Sequence, residues 1–223
     1  MTFKKCITIL IMLMLLPMLC GSAIKLPELK DIEGHWASEY INECTERGIC
    51  VGYDNGYFMP SKPVTRAEFT KMVVIAFSIS DPDIDPDTDG GNNATIFDDV
   101  IDHWSESYIK TAYASGLIFG VDDNRFMPDK EISRQDAVLI LSRIEHSIGK
   151  QLPETIQEIP FIDGEYIREE CREAVTHFQK ASIISGKTGN MFDPIGSMTR
   201  AEAAKCIILT IRGFETPAKS PNQ

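Results

Sequence analysis

No phosphate-binding glycine loop, no serine nucleophile elbow and no metalloprotease helix occurs in these 223 residues. Acids are plentiful, yet none recur in register except those that read as helix caps, so an enzyme is not the expected reading. Positive charge is scarce too. Twenty-two Lys and Arg stand against 33 Asp and Glu, a formal net charge of −11, which argues against nucleic acid and anionic lipid as main partners. Any anionic ligand has to be held by local positive sites against an unfavourable overall field. Cysteines are few: Cys6 and Cys20 fall in the N-terminal segment, leaving Cys44, Cys50, Cys171 and Cys206, whose spacing is wrong for a zinc knuckle. In an exported chain these four allow three pairings. Two expectations stand, a Cys171–Cys206 bridge between facing helices of one repeat, or four reduced thiols filling core space. With 43% hydrophobic and 25% charged residues, the chain has the composition and length of a globular protein with a substantial core.

The only long apolar run lies at the start. Lys4 and Lys5 precede the apolar stretch Ile7 to Leu19, and Gly21-Ser22-Ala23 follows with the small residues that signal peptidase requires. Residues 1–23 therefore read as a signal peptide, and the localisation expected is exported, at the cell wall or cell surface. Without that segment, which carries two lysines and no acid, the net charge falls from −11 to −13. A retained membrane anchor over Cys6 to Ile24 ranks lower. So does lipidation at Cys20, because Leu19 is a poor residue to precede a lipidated cysteine.

What is present is a tetrapeptide that comes three times: Thr65-Arg66-Ala67-Glu68, Ser133-Arg134-Gln135-Asp136 and Thr199-Arg200-Ala201-Glu202. Each follows a Phe-x-Pro turn (Phe58 and Pro60, Phe126 and Pro128, Phe192 and Pro194), with the arginine eight positions after the phenylalanine. A hydroxyl residue followed three positions later by an acid is a capping box, so each tetrapeptide predicts a helix start. The arginine falls on the first helical position, where the helix dipole disfavours a cation. Repeated three times against that cost, it points to a purpose beyond helix formation. Guanidinium groups take carboxylate or phosphate bidentately and helix N-termini bind anions, so Arg66, Arg134 and Arg200 are candidate anion sites. The plainer alternative is that they are solvated or paired with nearby acids.

In chain order, the first repeat covers residues 29–77. Trp36, Ala37, Tyr40, Ile41 and Cys44 fall at helical spacing and predict a helix ending near Gly48, then a glycine-rich loop, then a helix from Thr65 to about Phe77. Residues 78–95 form a polar surface insertion. Within it Asp85, Asp87, Asp89 and Gly90 match the opening of an EF-hand loop, which makes calcium the one cofactor to consider. Ile96 stands where the bidentate glutamate belongs, which favours a merely solvated acidic loop. The second repeat covers 96–146; Gly120 and Arg134 lie 68 positions after Gly52 and Arg66. A connection, 147–158, leads to the third repeat at 159–212. There Arg200 follows Arg134 by 66, but no tryptophan matches Trp36 and Trp104, and Tyr166 or Phe178 is the expected partial substitute. Gly213 is expected to end the last helix, ahead of a tail over 213–223.

Assembled in this order, Asp31, His35-Trp36-Ala37, Gly48 to Gly52, Phe58 to Pro60 and Thr65 to Glu68 resemble the surface-layer homology (SLH) repeat. The resemblance extends from Leu29 to Ile211, almost all of the chain beyond its export segment, with the first half of the third repeat diverging. It implies a mainly α fold, three helix-loop-helix repeats forming one pseudo-threefold domain around a central helical bundle. It also implies noncovalent attachment to the cell wall. In the family an anionic, often pyruvylated, secondary wall polysaccharide lies in grooves between repeats. Carried over, Arg66, Arg134 and Arg200 would hold the carboxylate, Trp36 and Trp104 would line a groove, and Gly52, Gly120 and Gly186 would let backbone approach the sugar. The divergence implies fewer than three equivalent grooves.

Each of these residues has a structural alternative. A tryptophan on an apolar helix face is as readily core as platform, and glycines serve turn geometry. His35 and His103 read as caps or packing, and Asp31 and Asp99 as loop or cap residues. The competing function is an envelope-assembly component, calcium-assisted, without specific polysaccharide binding. Polysaccharide or peptidoglycan is the partner in the first case, calcium-dependent oligomers in the second, and no feature sets an oligomeric state.

Overall fold

The computed structural model describes residues 29–80, 97–122 and 124–216. Six α-helices form there: α1 Ser38–Glu46, α2 Arg66–Ala76, α3 Glu106–Ala114, α4 Arg134–Ile148, α5 Glu169–Lys180 and α6 Arg200–Glu215. Among the described residues the only extended pairings are isolated bridges. The fold is mainly α, with two helices per repeat, as expected. The proposed signal peptide (residues 1–23), Asp85, Asp87 and Asp89 of the acidic insertion, and the tail from residue 217 lie outside the described residues. Among the described residues no helix is long and apolar enough to cross a membrane.

The three tetrapeptides start α2, α4 and α6. Thr65 with Glu68 and Thr199 with Glu202 form complete capping boxes. Ser133 accepts from the Asp136 N–H, but the shorter Asp136 side chain turns to the Ser133 hydroxyl and to Arg168. Two further N–H groups of each helix start are satisfied by the next repeat. Arg66 and Ala67 donate to the Lys130 and Pro128 carbonyls, Arg134 and Gln135 to Gly196 and Pro194, and Arg200 and Ala201 to Lys62 and Pro60. Helix N-termini leave four such donors without intrahelical partners. Here the Phe-x-Pro turn of a neighbouring repeat supplies the acceptors.

A ring of bonds running in the opposite sense, first repeat to third to second to first, closes at the centre. The Val64 N–H donates to the Met198 carbonyl (2.9 Å), Met198 to Ile132 (3.0 Å) and Ile132 to Val64 (2.9 Å). Around this ring each second helix packs against the first helix of the following repeat, α2 with α3, α4 with α5, and α6 with α1, while α6 also touches α2 and α4. One continuous apolar core runs through all three repeats. Phe58, Phe126 and Phe192 are buried in it, each contributing about 2–3 kcal/mol of transfer free energy. Their turns are held by acids that the sequence marks only as loop residues. Asp31 accepts from the Phe58 and Met59 N–H groups, Asp99 from Phe126 and Met127, and Asp163 from Phe192 and Asp193, at 2.7–2.9 Å. Each clamp ends on a residue with positive φ: Met59 (58°), Met127 (57°) and Asp193 (59°). That conformation is costly for a side chain and persists here because two hydrogen bonds fix it.

Three expectations change. All four described cysteines are free and buried; instead of a Cys171–Cys206 bridge, Cys171 accepts from Arg168 and Cys206 faces the Ile183 carbonyl. Burial pushes the Cys206 thiol up to about 11, and the neighbouring Cys50 thiol together with burial raises Cys44 further. Helix α6 runs through Gly213 to Glu215, and Gly213 is small because a Cβ there would lie 2.5 Å from the Leu152 side chain. Finally, Trp36 does not share the buried face of Ala37, Ile41 and Cys44 but stands in solvent.

Candidate functional site

Arg134 and Arg200 are buried and Arg66 is half-buried, which is unusual for a charged side chain. Each sits at the first position of its helix and reaches across to the following repeat. Arg66 donates through Nε to the Phe126 carbonyl (2.8 Å) and through Nη2 to Phe119 (3.1 Å). Arg134 reaches Phe192 (2.8 Å) and Ser185 (3.4 Å), and Arg200 reaches Phe58 (2.8 Å) and Val51 (2.7 Å). The guanidinium groups lie 4.3 to 5.2 Å from the rings of the same phenylalanines, close enough for cation–π attraction. The purpose that outweighs the helix dipole is thus, in the first place, to join repeats.

The three are not equivalent. Arg134 also forms an ion pair with Glu202 (2.6 Å), whereas among the described residues no carboxylate pairs with Arg66 or Arg200. Burial pushes the Arg66 guanidinium below its ordinary value, Asp136 and Asp99 oppose this, and Arg168 adds to it. An arginine has five N–H donors, so Arg66 and Arg200 keep donors for a ligand after serving two carbonyls each.

Grooves open beside Arg134 and Arg66, and each is built from three repeats. The Arg134 groove, about 230 Å³, has Arg134 from the second repeat, Ser185 and Gly186 and α6 residues Glu202 and Lys205 from the third, and Trp36 from the first. The 68- and 66-residue offsets make Arg200, Gly52, Lys71 and Trp104 the corresponding set, in which the Lys71 amine lies 5.7 Å over the Trp104 ring. Trp36 and Trp104 are 59% and 53% exposed, which excludes a core role for both. His35 and His103 set them in place: each Nδ1 lies within hydrogen-bonding distance of the N–H two residues on, and each imidazole lies 5.4 Å from its tryptophan ring.

The Arg66 groove is larger, about 730 Å³, and differently lined. Neither Tyr166 nor Phe178 takes the tryptophan position. Phe178 is wholly buried, and Tyr166, exposed in the turn before α5, does not line the groove. The fully buried residues Ala37, Ser105 and Cys171 are equivalent, so the residue preceding Cys171, Glu170, occupies that place. Helix α5 starts a turn earlier than α1 and α3, which shifts the sequence signal without shifting the packing.

Gly120 and Gly186 line their grooves, but their smallness answers to the protein itself. A Cβ on Gly120 would meet the Asp122 carbonyl oxygen at 2.5 Å, on Gly186 the Asn190 side chain at 2.7 Å, and on Gly52 the Leu29 side chain at 2.5 Å. Sequence reasoning missed Lys71 and Lys205, which recur with the tryptophans, and Arg143, Arg168 and Glu170. The offsets of 68 and 66 together pair Lys71 with Lys205 and put Glu170 at the tryptophan position, whereas Arg143 and Arg168 have no basic counterpart in the other repeats. Among the described residues no cluster of His, Cys, Asp or Glu is arranged to hold a metal ion.

The chain belongs to the S-layer homology family, cell-wall-binding modules, whose domain model matches residues 28–70, 96–138 and 173–204. It is 33% identical over 79% of its length to an amylopullulanase from Thermoanaerobacterium thermosulfurigenes, spanning 9% of that protein. It is 38% identical over 55% of its length to a cellulosome-anchoring protein from Acetivibrio thermocellus, and 27% over 84% to an S-layer protein from Bacillus licheniformis. It spans 26% and 20% of those two relatives.

Proposed function

We infer that this chain attaches noncovalently to the bacterial cell wall by taking an anionic secondary polysaccharide, pyruvylated on its sugars, into the grooves between repeats. The observation that carries the reading is the groove in which an exposed tryptophan, Trp36, and a lysine, Lys205, stand beside the buried Arg134; the repeat offsets place Trp104, with Lys71 over its ring, and the buried Arg200 in the same relation. An indole face packs on the apolar face of a sugar ring, and the cations beside it favour a carboxylate on that ring. A neutral sugar would leave the cations idle, and a simple anion would leave the indole idle. The anchoring relative and the S-layer relative support attachment at the cell surface.

The test is sedimentation of the protein with isolated walls, with and without soluble polysaccharide released from walls by acid, and with and without a calcium chelator. Retention competed by the polysaccharide and indifferent to chelator is the expected result. Retention abolished by chelator and untouched by the polysaccharide would overturn it in favour of calcium-assisted envelope assembly.

A further inference from the structure

The Arg66 groove differs from the Arg134 groove, and from the corresponding residues around Arg200, at five positions at once. Glu170 replaces the tryptophan, Leu139 replaces Lys71 and Lys205, and Gln135 replaces Ala67 and Ala201. Asp136 replaces Glu68 and Glu202, and Arg143 replaces Ile75 and Leu209. The changes answer one another. The shortened Asp136 reaches Arg168 at the start of α5, Gln135 accepts from the Arg168 N–H (3.0 Å), and Glu170 lies 3.3 Å from the Arg168 Nε. Arg143 donates to the Leu117 carbonyl (3.1 Å), and its guanidinium sits 4.6 Å over the Phe119 ring. A groove that had simply decayed would not exchange partners so consistently.

The outcome is three guanidinium groups, Arg66, Arg143 and Arg168, around one cavity without an indole platform. Only Arg168 has carboxylate partners among the described residues. Arg66 and Arg143 are both pushed below their ordinary values by burial, and for both the charge of Arg168 acts in the same direction. An anion between them would relieve that repulsion, and in a partly buried groove the attraction is stronger than in bulk water. A lone carboxylate is already served by one guanidinium fork. A phosphate ester carries up to two charges and three acceptor oxygens near neutral pH, which suits donors arriving from three sides.

We propose that the Arg66 groove is a separate anion site for a phosphate-class group, held by Arg66, Arg143 and Arg168, and that it does not take the sugar face read by the tryptophan grooves. This rests on the reading of the inter-repeat grooves as ligand sites. It divides the chain's recognition between two chemistries, sugar carboxylate at two grooves and phosphate at the third.

The experiment uses the full chain and inorganic phosphate, glucose 1-phosphate and acetate as probes, titrated at constant ionic strength and followed by calorimetry. Both phosphates are expected to bind at least tenfold more tightly than acetate. Arg143→Leu, which installs the residue of the third repeat and whose fold is checked by circular dichroism, is expected to weaken phosphate binding at least tenfold, while Trp36→Ala/Trp104→Ala leaves it unchanged. Inorganic phosphate binding without glucose 1-phosphate binding would mark a free-ion site and overturn the ester assignment. Equal binding of acetate and phosphate, no phosphate binding, or an unaltered Arg143→Leu variant would overturn the site itself. Wall sedimentation of the same samples separates the two readings: retention on walls without phosphate binding removes this site and leaves the wall attachment, whereas loss of wild-type retention removes the attachment.

Discussion

The Nε of Arg200 donates to the carbonyl of Phe58 at 2.8 Å, across 142 residues of chain. That bond joins the third repeat to the first and completes a cycle that Arg66–Phe126 and Arg134–Phe192 begin. The repeats are therefore not beads on a string. Each borrows hydrogen-bond acceptors from the next, and the last borrows from the first.

Arg200→Ala is accordingly expected to destabilise the fold before it affects any ligand. Two hydrogen bonds from a buried charge are lost and two carbonyls are left without their partner, at a cost of about 3 kcal/mol. Urea unfolding followed by circular dichroism should show a lower midpoint at unchanged slope, with Arg200→Lys only partly restoring it, since an ammonium cannot span both carbonyls. Unchanged stability would mean that the closing link is dispensable.

Asp163 makes a second prediction. It is buried and accepts from the Phe192 and Asp193 N–H groups, both at 2.7 Å. Asp163→Ala leaves both donors unpaired and releases the positive-φ turn, so a loss of about 3 kcal/mol is expected in the same unfolding assay. Asp163→Asn keeps one acceptor and should recover part of it.

The α4–α5 interface carries a pH dependence. His177 Nε2 lies 2.9 Å from Glu145 Oε1, which also accepts from the Leu152 N–H, while Glu154 and Lys180 flank the imidazole. The Glu145 hydrogen bond raises the His177 pKa above its ordinary 6.5, with burial acting against it. Because the folded-state value lies above the unfolded one, the stabilisation is complete below about pH 6.5 and is lost as pH rises through the folded-state pKa. Stability measured from pH 5.5 to 8.5 should contain this falling component, and His177→Gln should remove it. A profile identical in wild type and variant would contradict the pairing.

Much of this architecture was legible in the sequence because its signals are local. Capping boxes, helical spacing and the Phe-x-Pro turn place α2, α4 and α6 within a residue or two, and constant offsets of 68 and 66 identify the repeat. What the arginines touch was not legible, because their partners are backbone carbonyls of another repeat, which leave no mark on side-chain identity. The tryptophan pattern misled in one place: Trp36 sits next to the buried Ala37, so helical spacing assigned it to the core, while its ring turns outward beside His35. Glu170 was hidden by the extra turn of α5, which moves the helix start relative to the conserved packing of Cys171.

The arginines' structural duty makes them poor probes of binding, whereas Trp36 and Trp104 are exposed and their removal should cost under about 1 kcal/mol of stability. The decisive measurement is retention of the Trp36→Ala/Trp104→Ala double variant on isolated walls beside wild type, with walls stripped of secondary polysaccharide as control. Wild type should sediment with intact walls and not with stripped ones, and the folded double variant should be retained at least tenfold less. Equal retention of both proteins on both kinds of wall would contradict the account.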